Sequence, residues 1–174
     1  MTSAQRFLRE SRFYLNTEYR AKLHAAVEAM PEDKLWWRPN EESNSVGNLL
    51  LHLAGNVGEW IGSGVGGAAN TRRRADEFAA RSGQGAAELL ARLDETLDNA
   101  DAVLATLTEA DLDAPRTIQG RETTVLEAVY HVVEHFSMHV GQIILVAKMH
   151  APGGVQFYED AGGLAQPTWR DAAR

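Results

Sequence analysis

Apolar residues along this chain recur at intervals of three and four over long stretches, the spacing of one face of an α-helix. No stretch sustains the alternation of a half-buried strand. The first helical stretch runs from about Ser3 to Met30, with Phe7, Leu8, Phe13, Tyr14, Leu23 and Val27 facing inward. Pro31 opens a one-turn helix over PEDKL, since proline is tolerated at the first helical position. Trp36, Trp37 and Pro39 follow in an irregular, bulky segment. Asn44 or Ser45 can cap the second helix, which carries Val46, Leu49, Leu50, Leu53, Val57, Trp60 and Ile61 and is expected to end in the glycines at 62, 64, 66 and 67.

Residues 72–81 suit a short helix. A third long helix is expected over Gln84 to Leu107, with Leu89, Leu90, Leu93, Leu97, Val103, Leu104 and Leu107 inward. Thr108 with Asp111 reads as a capping box for one further turn, and Thr124 with Glu127 as the capping box of the last helix. Residues 113–122 form a polar connection with room for a short extended pair. The last helix continues to about Lys148, where APGG stops it. The fold class is therefore all-α: a four-helix bundle with long connections, one domain over 1–174. Its core spans about 3–150, and an irregular tail, 151–174, packs through Phe157, Tyr158 and Trp169.

Composition narrows the function classes. Seventeen basic against twenty-four acidic residues give a net charge of −7, the wrong footprint for a nucleic-acid binder. The one basic run, Arg72-Arg73-Arg74, is followed by Asp76 and Glu77 and reads as a solvated helix start. No apolar run approaches the ~20 residues that cross a bilayer, and MTSAQRFLRESRFYL lacks the apolar core of a secretory signal, so a cytoplasmic location is expected. With no cysteine in the chain, thiolate metal sites and a cysteine nucleophile are excluded. The glycines of SGVGG lack the GK[ST] ending of a phosphate loop.

Three of the six histidines fall in His131-Val-Val-Glu-His135-Phe-Ser-Met-His139. Residues four apart on a helix share a face, so His135 and His139 can aim two imidazoles at one ion, about 2.1 Å from each nitrogen. His131 and His139 stand about 12 Å apart along the axis, so all three cannot share it. A pair is incomplete, and His52, in the apolar run Leu49-Leu50-Leu51-His52-Leu53-Ala54, is the natural third ligand. Against this stands the plainer reading of a core histidine hydrogen-bonded within the protein and an i, i+4 pair without chemistry. His24 and His150 carry no such pattern.

Val46-Gly-Asn-Leu-Leu-Leu-His52-Leu-Ala-Gly-Asn56 and His131-Val-Val-Glu-His-Phe-Ser-Met-His139-Val-Gly-Gln142-Ile, together with Leu35-Trp-Trp-Arg-Pro39, resemble the DinB-like family over most of the chain before about residue 150. The resemblance implies a four-helix bundle whose metal, commonly zinc or nickel, is held by His52, His135 and His139. Of the two registers, His131–His135 and His135–His139, the run Val140-Gly141-Gln142 favours the second. It also implies a homodimer and, in some members, the use of a low-molecular-weight thiol.

The function expected is thus a divalent-metal-dependent transferase acting with a small thiol on small electrophiles. A hydrolase using bound water and a non-catalytic structural or sensor module are the alternatives. Glu59, two turns after His52, is a weak candidate for a general base, while Glu134 faces about 100° from His135. Arg72, Arg73 and Arg74 can grip carboxylates of a thiol cosubstrate, with solvated surface charge as the plainer reading.

Overall fold

The structure, a computed structural model, describes residues 1–169; residues 170–174 of the expected tail lie outside the described residues. Thr2 and Gln5 form a capping box at the start of the first long helix. It runs through α1 (Ser3–Phe13), a π-helical stretch (Tyr14–Tyr19) and α2 (Arg20–Glu28), all with right-handed helical backbone. The wider π turns rotate the inward face. Leu15 is fully buried and Tyr14, expected inside, is 37% exposed. The single turn Glu32–Lys34 follows.

Ser45 and Asn48 cap α3 (Val46–Val57) through a reciprocal pair of hydrogen bonds. The helix does not stop at the first glycines: it continues as π-helix over Gly58–Val65 and ends at Gly66–Gly67, where Gly67 takes φ +77°. The glycines at 64 and 66 serve contact instead. A Cβ on Gly64 would overlap Ile118, and one on Gly66 would lie 2.6 Å from Val103. After α4 (Arg74–Ala79) and α5 (Ala86–Thr106), the turn Glu109–Asp111 leads into the antiparallel pair β1 (Pro115–Ile118) and β2 (Arg121–Thr124). Their two-residue turn has Gln119 and Gly120 at positive φ, as a tight hairpin requires. The Thr124–Glu127 capping box then starts α6 (Val125–His150).

α3 packs against both α5 and α6, and α2 against α6, which makes the mostly-α bundle. Leu15, Leu23, Leu53, Ile61, Leu97, Val132, Phe136 and Ile143 are sealed from solvent in one core. Among the described residues no helix is long and apolar enough to cross a membrane. The tail is more ordered than its sequence suggests: β3 (Tyr158–Asp160) and β4 (Ala165–Pro167) pair antiparallel. Phe157 and Trp169 are buried, whereas Tyr158 is half exposed. The Lys22 ammonium lies 5.3 Å from the ring centres of Tyr158 and Trp169, a cation–π latch between tail and bundle.

The segment before α3 is fixed from two sides. Gly47 donates its backbone N–H to Leu35 at 2.9 Å, and the Trp36 indole donates to the Gln84 carbonyl. A Cβ on Gly47 would stand 2.8 Å from the Trp36 ring. Gly47→Ala is therefore expected to cost about 1–3 kcal/mol by overpacking, read as a fall in thermal midpoint, and Trp36→Ala in the same chain should relieve part of that clash.

Candidate metal centre

α3 brings His52 to the seam with α6, and α6 presents His135 and His139 one turn apart. The three side chains meet Nε2 to Nε2: 3.1 Å from His52 to His135, and 3.2 Å from His135 to His139. His52 and His139 are buried and His135 half-buried. These three histidines form the group among the described residues whose donor atoms can hold a metal ion. His131 is not part of it. Its ring lies tilted against Trp60, 4.2 Å between centres, and stands 5.4 Å from that of His135.

The outward nitrogens are held in place. His52 Nδ1 meets Glu77 Oε2 at 2.9 Å and His139 Nδ1 meets Gln142 Oε1 at 2.7 Å. A carboxylate and an amide oxygen only accept, so both Nδ1 atoms carry the proton and both Nε2 atoms present lone pairs. Arg72 Nη2 also lies 3.1 Å from His52 Nδ1; arginine has no lone pair to offer, and the shorter carboxylate contact sets the tautomer. His135 Nδ1 is buried with no hydrogen-bond partner. His135 can supply at most one proton to two facing lone pairs, so the cluster is under-satisfied as a purely hydrogen-bonded core. A cation satisfies all three nitrogens. Tetrahedral bonds of about 2.0–2.1 Å place ligand nitrogens roughly 3.3 Å apart, close to the two separations that His135 makes with His52 and His139.

Protonation of His135 does not compete with a cation near neutrality. Burial, reinforced by the neighbouring His139, His52, His131 and Arg72, lowers His135 to about 3. Burial also lowers His139, against the opposing hydrogen bond from Gln142.

Behind His52 lies a buried charge cluster that gives each nearby small or polar residue a purpose. Asn48, fully buried one turn before His52, donates to the Glu77 and Ala80 carbonyls and so pins α4 to α3. A Cβ at Gly55 would collide with the Glu77 carboxylate, so the glycine makes room for it. Arg72 grips Glu77 with two nitrogens, at 2.7 and 2.9 Å, and reaches Glu59 at 2.9 Å. Burial raises the Glu77 carboxyl, but the hydrogen bonds from Arg72 and His52 outweigh it and hold the group below the usual range. Glu59 is likewise held low: burial opposes, and Gln119, Arg72 and Asn70 prevail.

Arg72 is thus not solvated charge; its side chain is 5% exposed. Arg73 and Arg74 are exposed, the latter over the Phe78 ring at 4.8 Å. Glu59 reaches His52 only by way of Arg72, and Glu134 faces solvent. His24 bridges Glu28 and Asp94, while His150 packs edge-on against Trp37. Glu77 is the residue that sequence reasoning missed. Its signal was indirect: Asn48 and Gly55 interrupt the apolar face around His52, where something polar must dock.

The fold and the histidine cluster together define a DinB-like helical protein with a group able to bind a metal ion. The chain belongs to the DinB-like family described as a protein of unknown function, DUF1572, whose model matches residues 2–156. The crystal structure of a DinB-like protein, YjoA, from Bacillus subtilis superposes with a TM-score of 0.64 at 19% identity, covering 87% of this chain and 98% of that one. Among curated proteins no match is found.

The site's pH response follows from its histidines. His135 has an ordinary value of 6.5 and a folded value of about 3, so between them the unfolded chain binds the extra proton. Stability contributed by the neutral ring is full above pH 6.5 and is lost as pH falls towards 3. The metal-stripped protein should therefore show a thermal midpoint that declines through that window. His135→Phe, which has nothing to protonate there, should flatten the decline.

Proposed function

We propose that this protein binds one divalent metal ion, zinc or nickel, through His52, His135 and His139, and that it is a transferase presenting a low-molecular-weight thiol to small electrophiles. The convergence of three Nε2 atoms, two of them oriented by Glu77 and Gln142, carries this reading. A histidine that ligates through one nitrogen characteristically donates its other N–H to a carboxylate or carbonyl oxygen. Three protein ligands leave a coordination position open, the mark of reactive rather than structural sites. At that position a metal would let a thiol give up its proton and become a nucleophile.

The chain has no thiol of its own, so the sulfur comes from a small molecule. Glu77 holds the His52 tautomer, Arg72 holds Glu77, and the Trp60–His131 pair keeps the neighbouring turn of α6 packed. The outer side of α6 leaves Leu126, Tyr130, Met138, Leu145 and Met149 exposed, which supports a homodimer formed through that helix.

Elemental analysis of untagged protein should find about one metal equivalent. His52→Ala and His139→Ala should each abolish it with helicity retained, and Glu77→Gln should weaken affinity about 10–100-fold. Loaded protein should turn over activated electrophiles only when a thiol is added. Thiol-independent turnover would favour a hydrolase that uses water, and metal loss without effect on any turnover would leave a structural module. Light scattering should report a dimer that Tyr130→Glu and Leu145→Glu together convert to monomer.

A further inference from the structure

A cleft of about 880 Å³ lies between α3 with its π-helical continuation, the segment 68–73 leading into α4, and α5. None of the three histidines lines it, although Arg72, Glu77 and Glu59 form part of its wall. Its floor is the glycine face of the helix, and two of those glycines have no packing reason to be there. A Cβ at Gly62 would meet nothing within 4 Å, and one at Gly58 would make only an ordinary contact with Thr96. Neither takes a left-handed conformation. Glycine within a helix is unfavourable relative to almost any other residue, so at these positions the gain lies in the empty space itself.

The charges around that space are unevenly used. Arg72 is saturated by Glu59 and Glu77. Arg73, from the segment before α4, and Arg92, from α5, also line the cleft, and neither guanidinium has a hydrogen-bond or ion-pair partner among the described residues. Two free guanidiniums on two walls suit bidentate recognition of carboxylates. The Asp76 carboxylate lines the same space, also without a partner among the described residues, and disfavours ligands of high negative charge such as polyphosphates. Leu51, Ala54, Ala100 and Val103 add apolar wall for a carbon chain.

The geometry points to a second binding site here, for a small organic acid with one or two carboxylates on a short apolar body. Its carboxylates are held by Arg73 and Arg92, and its chain lies over Gly58 and Gly62. The site is separate from the histidine centre and needs neither metal nor turnover.

Glutarate is a suitable probe, titrated calorimetrically into the full chain at low ionic strength, with phosphate as the comparison anion. Saturable one-to-one binding of glutarate, tighter than that of phosphate, is expected. Arg73→Ala with Arg92→Ala should weaken it at least tenfold. Gly62→Leu should abolish it while leaving the thermal midpoint equal or higher, because the leucine fills open space on a helix. No binding up to about 10 mM overturns the site. So does binding that either variant retains within twofold, or a preference for phosphate. Should Gly62→Leu fail to fold, the paired arginine variant, which changes only exposed side chains, decides alone.

Discussion

Glu77 is a carboxylate almost wholly withdrawn from water on a helix of only six residues, and the arrangement around the histidines depends on how its charge is met. An isolated buried carboxylate would take up a proton or unfold its surroundings. Here Arg72 binds it with two nitrogens and His52 donates to it, so it stays ionised. The three groups hold one another. Breaking such a buried pair by removing one partner costs about 3–5 kcal/mol because the other charge is stranded. The same contact that keeps α4 on the bundle therefore fixes the ring of His52, and the stability of this corner and the orientation of the ligand cannot be varied separately.

The surrounding residues follow from accommodating that charge. Asn48 donates to two carbonyls at the end of α4, where the helix leaves its last carbonyls without intrahelical partners. Gly55 removes the one Cβ that would displace the carboxylate. Glu59 balances the second half of the Arg72 guanidinium and is tied in turn to Asn70 and Gln119, so the loop after α3 and the β1–β2 turn close over the cluster. The spacing Asn48, His52, Gly55, Glu59 places all four residues on one helical face. That face is polar in a chain region otherwise filled with leucine.

The helices were legible because their signals are local. Ser45 and Thr124 each start a helix with the side-chain hydrogen bonds their sequence neighbours suggest, and the leucine stripes point where periodicity puts them. The π-helical stretches were not legible. Periodicity assumes a constant turn, so it puts Tyr14 inside and lets the stop begin at Gly62, whereas the helix runs on to Gly66–Gly67. In fact Gly64 and Gly66 are packing contacts for Ile118 and Val103, partners far away in sequence. His52, His135 and His139 could be gathered from spacing and resemblance, since two lie on one helix. Glu77 could not, because its partner Arg72 looks like one of three solvated arginines and only tertiary packing distinguishes them.

The remaining question is why three histidines should be brought face to face at the seam of a well-filled core. Apolar side chains at the same positions would bury no polar atoms, and buried polar groups are tolerated only when satisfied. Two of the rings are locked as proton donors outward, so their inward nitrogens are obligatory acceptors, and the third ring is depressed too far to be protonated near neutrality. The cluster is therefore poor in protons by construction. Gln142 and Glu77 maintain that condition, and neither would be needed if the rings were merely space-filling. The arrangement suits a cation to the extent that it withholds protons, which is the physical reason for reading it as a group able to bind a metal ion rather than a tolerated defect in the core.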